Sequence, residues 1–175
     1  MRYALTYGIL AGLVILAIFI PALALANQHS MVVGYLIMLV GLTLVFVGVK
    51  RFRDIERGGI VRFLPAFLLG LAISLVASIV YVIGWEIYLS TTDYALFDDY
   101  IGEQMRSYQA AGMSGAELAQ KTEEMAAMRA QFRDNMPFRL AMIFLEVFPV
   151  GLVVSLVSAA LLRNPNMLPA ATRAR

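Results

Sequence analysis

The chain has 175 residues, 61% of them hydrophobic and 15% charged, with a formal net charge of +2 and a mean hydropathy of +0.77. Soluble domains run near 45–50% apolar and about 25% charged, so this composition excludes both an ordinary soluble enzyme and a disordered chain. The absence of cysteine excludes disulfides and cysteine-bearing zinc, iron–sulfur or thiol-redox centres, and so small a net charge implies no nucleic-acid partner.

Four apolar runs are long enough to cross a hydrocarbon core, which takes about 20 helical residues. They cover residues 4–26, 31–49, 63–89 and 137–162. None alternates with period 2, so a β-barrel is a poor reading. The expectation is an all-α integral membrane protein with four transmembrane helices in a bundle, forming a single membrane domain over 1–175. The first run has a rival reading as a signal peptide, because Met1-Arg2 is a basic start and Ala24-Leu25-Ala26 resembles a cleavage site. Its apolar stretch exceeds the usual h-region of about 7–15 residues. Only Asn27, Gln28, His29 and Ser30 separate it from the second run, so it is read as retained.

Lys and Arg fix the expected orientation. Arg2 precedes the first span, and Lys50, Arg51, Arg53, Arg57 and Arg62 fill the second connection. Arg163, Arg173 and Arg175 follow the fourth span, whereas the first connection has no Lys or Arg. The pattern predicts a multi-pass protein of the inner membrane with both termini cytoplasmic. The basic connection closes on a Gly58-Gly59 turn. Setting topology explains its charge, and gripping anionic lipid headgroups is its other use.

The segment 90–136 is too long and too patterned for a plain loop. Tyr94, Phe97, Ile101, Met105 and Tyr108 recur at helical spacing, Ala111-Gly112-Met113 breaks the pattern, and Leu118, Met125, Met128 and Phe132 resume it. Ser114 with Glu117 has the spacing of a capping box opening the second stretch. The reading is an amphipathic helical hairpin on the outer side, between the third and fourth spans. Gly112-Met113-Ser114-Gly115 also matches a string found in intramembrane serine proteases, but this Ser lies in a polar segment, and capping explains it. No nucleophile–base pair, nucleotide loop or metal constellation is legible, so neither an enzyme nor a metal or other cofactor is expected.

Small residues line every span. Gly8 and Gly12 continue a row from Ala4, and Gly70 and Ser74 lie between Ala66 and Ser78. Gly151 leads to Ser155 and Ala159, and Gly34, Gly41 and Gly48 recur every seven residues. Such rows let helix backbones approach closely, within one bundle or against a second copy. Leu42, beside the glycine row, is expected on the lipid side. Trp85, with Tyr81 and Tyr88, reads as an interfacial aromatic belt.

Glu86 and Glu146 are the acidic residues inside the spans, and an ionisable group there is a candidate site by default. Glu86 extends the Ala66–Ser78 row and so should face another helix. Glu146 is off the row of Gly151 and Ser155, although a kink at Pro149 would redirect it. Turned inward, the pair would share a proton or meet a cation, with Tyr35 and Asn27 as donors at suitable depth; Glu86, Glu146, Trp85 and Pro149 form the candidate polar site.

Several strings carry a family resemblance: Val33-Gly34-Tyr35, the run Phe46 to Asp54, Gly84-Trp85-Glu86 within Val80 to Tyr88, and Leu145-Glu146-Val147-Phe148-Pro149. In that order, over nearly the whole chain, the sequence resembles the bacterial domain of unknown function (DUF) family 4199. The resemblance implies a four-span inner-membrane protein with an outer helical insert, and no activity. Two functions remain in view. One is a binding or assembly module contacting lipid, a membrane-protein partner or another copy. The other is a small oligomeric ion- or proton-linked transporter using the intramembrane glutamates.

Overall fold

A computed structural model describes residues 1–25 and 31–169; Asn27, His29, Arg173 and Arg175 lie outside the described residues. The described residues form six helices, α1 (Arg2–Leu25), α2 (Met31–Glu56), α3 (Phe63–Thr91), α4 (Ala95–Ala110), α5 (Gly115–Asp134) and α6 (Met136–Leu162). Four of them, α1, α2, α3 and α6, are long and apolar enough to cross a membrane, and α4 and α5 form a hairpin between the third and fourth. The chain divides into two compact units, Met1–Ile83 with Phe144–Arg175, and Gly84–Ile143.

In the first unit, glycines set the helix contacts. A Cβ on Gly12 would lie 2.7 Å from the Cβ of Val80 and 2.8 Å from the Ala77 carbonyl oxygen. Gly8 meets Val76 and the Ile73 carbonyl in the same way, so α1 lies with its backbone directly on α3. On α2, Gly34 faces Phe19, Gly41 faces Ile15 and Ala11, and Gly48 faces Tyr7 and Ile73. Gly70 lies against Ser155, and Gly151 against Ser74, which brings α3 onto α6. The small-residue rows are therefore internal seams of the fold. Lipid offers no hydrophobic drive between helices, so close packing of this kind has to supply the attraction.

Three details differ from the sequence reading. Leu42 does not face lipid: it is 0% exposed, one of a buried set with Met38, Val45 and Val49 that flanks the glycine row. Tyr81 and Trp85 are no exposed belt either, being 0% and 7% exposed. They fall on a four-residue step with Ile73, Ala77 and Leu89, and that step is the buried stripe of α3. Finally, α2 runs on to Glu56, so Lys50, Arg51 and Arg53 belong to its last two turns. Gly58 and Gly59 then turn the chain with φ of 59° and 88°, a region glycine enters without a steric penalty.

In the second unit, the hairpin is held near its open end by Phe97 and Phe132, stacked with ring centroids 3.9 Å apart. Ile101 and Phe132 are buried. Ser114 is the residue before α5, as its spacing predicts, and its backbone has the extended form usual at an N-cap, but its side chain makes no capping hydrogen bond. The helix opens on Gly115 at φ 62°.

Candidate functional site

The polar residues fall into a cluster on the hairpin unit, a cluster at the basic end of the bundle, a serine group between α3 and α6, and the carboxylate of Glu146. Each is fixed by different elements.

On the hairpin unit, Arg139 in the first turn of α6 is 3% exposed. Its Nε and Nη2 donate to the two carboxylate oxygens of Glu86 at 2.8 and 2.6 Å, a bidentate ion pair between α6 and α3. Its Nη1 donates to the carbonyls of Phe132 and Arg133 at 2.6 and 2.9 Å. Those carbonyls belong to the last turn of α5, whose final carbonyls have no partner within the helix. The guanidinium also lies over the Tyr94 ring, 4.8 Å from its centroid.

Tyr94 belongs to a turn that needs such support. Asp93 and Tyr94 both have positive φ, 48° and 60°, which costs a side-chain-bearing residue roughly 1–2 kcal/mol each. Arg133 donates to the Asp93 carbonyl at 3.1 Å and to its carboxylate at 2.6 Å. Asp98 at the start of α4 receives Arg129 Nε at 2.6 Å and Arg129 Nη2 as a second bond, with Arg133 at 3.4 Å. The Arg129 hydrogen bond holds the Asp98 carboxyl below the usual aspartate range. Three arginines and three acids thus join α3, α4, α5 and the start of α6 within this unit.

The basic end is less neutralised. Arg53 is 0% exposed and donates to Asp54 at 2.7 Å and to the carbonyls of Met167 and Leu168 at 2.8 and 2.6 Å. Lys50 also donates to Asp54, and Tyr3 donates to Glu56 at 3.1 Å. Arg51, Arg57, Arg62 and Arg163 are exposed and form no ion pair among the described residues. Arg57 leans on the Phe52 ring at 5.3 Å. A cavity of about 360 Å³ opens here, lined by Arg57, Ile60, Val61, Arg62 and Pro65.

Glu146 stands apart from both clusters. It is exposed and makes no hydrogen bond or ion pair among the described residues. Leu145 beside it is 61% exposed, Met142 48% and Val153 57%, so it sits in an apolar outward stripe of α6. Pro149 lies in the same stripe, and α6 continues through it. Ser74, Ser78 and Ser155 do face inward: the Ser74 and Ser155 hydroxyls, 2.9 Å apart, converge on the Gly151 carbonyl at 3.0 and 2.7 Å, and Ser78 donates to the Ser74 carbonyl at 2.9 Å.

The structure therefore pairs Glu86 with Arg139, a residue that sequence reasoning passed over, and sets Glu146 on the outward face of α6, within electrostatic reach of the buried Tyr81 of α3. The missing signal was depth. Glu86 is 24 residues after Arg62 and Arg139 is 24 residues before Arg163, so each lies roughly 36 Å along its helix from a basic flank.

A family model described as "Protein of unknown function (DUF4199)" matches residues 6–164. No curated protein and no solved structure matches the chain.

Proposed function

The chain belongs to the DUF4199 family, and we propose that it is a non-catalytic accessory module that binds another membrane protein laterally, through the outward face of α6. The Lys/Arg distribution supports an inner-membrane setting with both termini and the basic turn in the cytoplasm, and the hairpin outside. One observation carries the reading: α6 is the least buried span, at 22% against 33–39% for the others, and its outward stripe carries the carboxylate of Glu146. A carboxylate in a lipid-facing stripe is costly unless a donor meets it, and a neighbouring helix supplies one at low cost. Glu86 is engaged by Arg139, which leaves the ion-linked alternative with Glu146 as its remaining intramembrane carboxylate and weighs against it.

The test is site-specific photo-crosslinking in intact membranes. A crosslinker at Val153 on α6 should give a discrete protein adduct, and one at Val40, exposed on α2, should give lipid adducts only. Glu146→Leu should abolish the Val153 adduct. Lipid adducts alone at both positions would remove the basis for the proposal.

A further inference from the structure

The basic end carries a second binding feature that does not depend on any protein partner. Among the described residues, seven cationic side chains, Arg2, Lys50, Arg51, Arg53, Arg57, Arg62 and Arg163, meet two side-chain carboxylates there, Asp54 and Glu56. Lys50 and Arg53 use Asp54, and Tyr3 uses Glu56. The excess is not evenly spread. Arg57 and Arg62 flank one cavity of about 360 Å³, within the size range of small-ligand clefts, and neither has an acidic partner among the described residues.

The turn between them is locked. The Gly59 amide donates to the Arg53 carbonyl at 2.9 Å and the Ile60 amide to the Arg57 carbonyl at 3.3 Å. Val61 is buried, which pins the middle of the connection, while Pro65 stiffens the cavity's far wall. The Phe52 ring holds Arg57 from the other side. Two guanidiniums are thus presented on a short, constrained frame. Planar forks of this kind match phosphate oxygens, and a preorganised pair loses less entropy on binding than flexible lysines.

The surroundings identify the kind of phosphate. Ile60 in the cavity wall is 66% exposed, and Phe63 and Leu64, just beyond Arg62, are 37% and 60% exposed. They open the span α3, so a ligand whose phosphate enters the cavity has apolar surface immediately beside it. A soluble anion has nothing to place there, whereas a phospholipid has its glycerol and acyl chains. We propose that Arg57 and Arg62 form a site for the phosphate of an anionic phospholipid, with Ile60 and Leu64 against the acyl region.

The experiment uses the full chain purified in mild detergent. Native mass spectrometry would count retained lipid on titration with phosphatidylglycerol, phosphatidylcholine or inorganic phosphate. Phosphatidylglycerol should bind at one saturable site, and Arg57→Gln with Arg62→Gln should weaken it roughly tenfold or more. Arg51→Gln with Arg163→Gln, which removes the same charge outside the cavity, should change it less than about threefold. Arg57→Lys with Arg62→Lys should recover only part of the loss, because lysine lacks the fork. Equal losses from the two Gln pairs would overturn the site in favour of diffuse charge. Equal binding of phosphatidylcholine, or displacement by stoichiometric inorganic phosphate, would overturn the lipid assignment. Unchanged thermal unfolding of the exposed-arginine variants checks that each remains folded.

Discussion

Replacing Arg139 with Met would leave the Glu86 carboxylate without its cation and the Phe132 and Arg133 carbonyls without their donor. Breaking one side of a buried pair costs about 3–5 kcal/mol, so Arg139→Met should be strongly destabilising in detergent unfolding. Adding Glu86→Leu should recover part of that loss, and an additive double mutant would mean the pair contributes no coupling. Glu146 behaves oppositely. It makes no hydrogen bond or ion pair among the described residues, so Glu146→Leu should leave the isolated protein as stable as wild type or more so. The contrast was half legible in the sequence. Glu146 lies off the row of Gly151 and Ser155 that packs on α3, and Glu86 lies on a row that reaches a neighbour. What local pattern could not supply was the partner, because Glu86 and Arg139 are 53 residues apart and no short-range rule connects them.

Among the helices, the tightness of each seam predicts how an added methyl is tolerated. Gly8 and Gly12 abut stiff β-branched Cβ atoms and backbone carbonyls of α3, so Gly8→Ala and Gly12→Ala should each cost about 1–3 kcal/mol. Gly34 meets only a Phe19 ring atom at 3.3 Å, and Gly34→Ala should be nearly neutral. Thermal unfolding of the three variants gives the ranking directly. On the same grounds Leu42→Ala, at a fully buried position, should cost about 2–5 kcal/mol, much more than Leu39→Ala on the exposed side. The spans were readable from hydropathy and length alone, because lipid imposes both. Which side of α2 beyond the glycines is buried was not, since lipid-facing and core-facing leucines look alike in sequence. The hairpin follows different rules. Asp98 titrates lower folded than unfolded, so its pair with Arg129 contributes fully above the ordinary aspartate value of about 3.9 and is lost as pH falls through the lowered one. Amide exchange in α4 and α5 should therefore rise, beyond its intrinsic pH dependence, as the medium is acidified below about pH 4. Asp98→Asn should flatten that response and raise exchange at neutral pH.

For the molecule as a whole, the orientation inferred from Lys and Arg makes a plain prediction. A cysteine at Ala110, exposed at the end of α4, should react with a membrane-impermeant reagent in intact cells, and one at Gly58 should react only after lysis. The reverse pattern would invert the protein in the bilayer. Charge at the basic end is divided between groups that hold the fold and groups that face outward, and Arg53 belongs to the first kind. Its acceptors at Met167 and Leu168 lie 114 and 115 residues further along the chain. On a translating ribosome α2 is therefore made long before the carbonyls that complete it. Through most of synthesis this guanidinium has Asp54 alone, until the segment that follows α6 has been made. Closure of the clasp is then a late event in biogenesis, and a chain stalled after Arg163 would leave Arg53 without the two carbonyls that complete its shell.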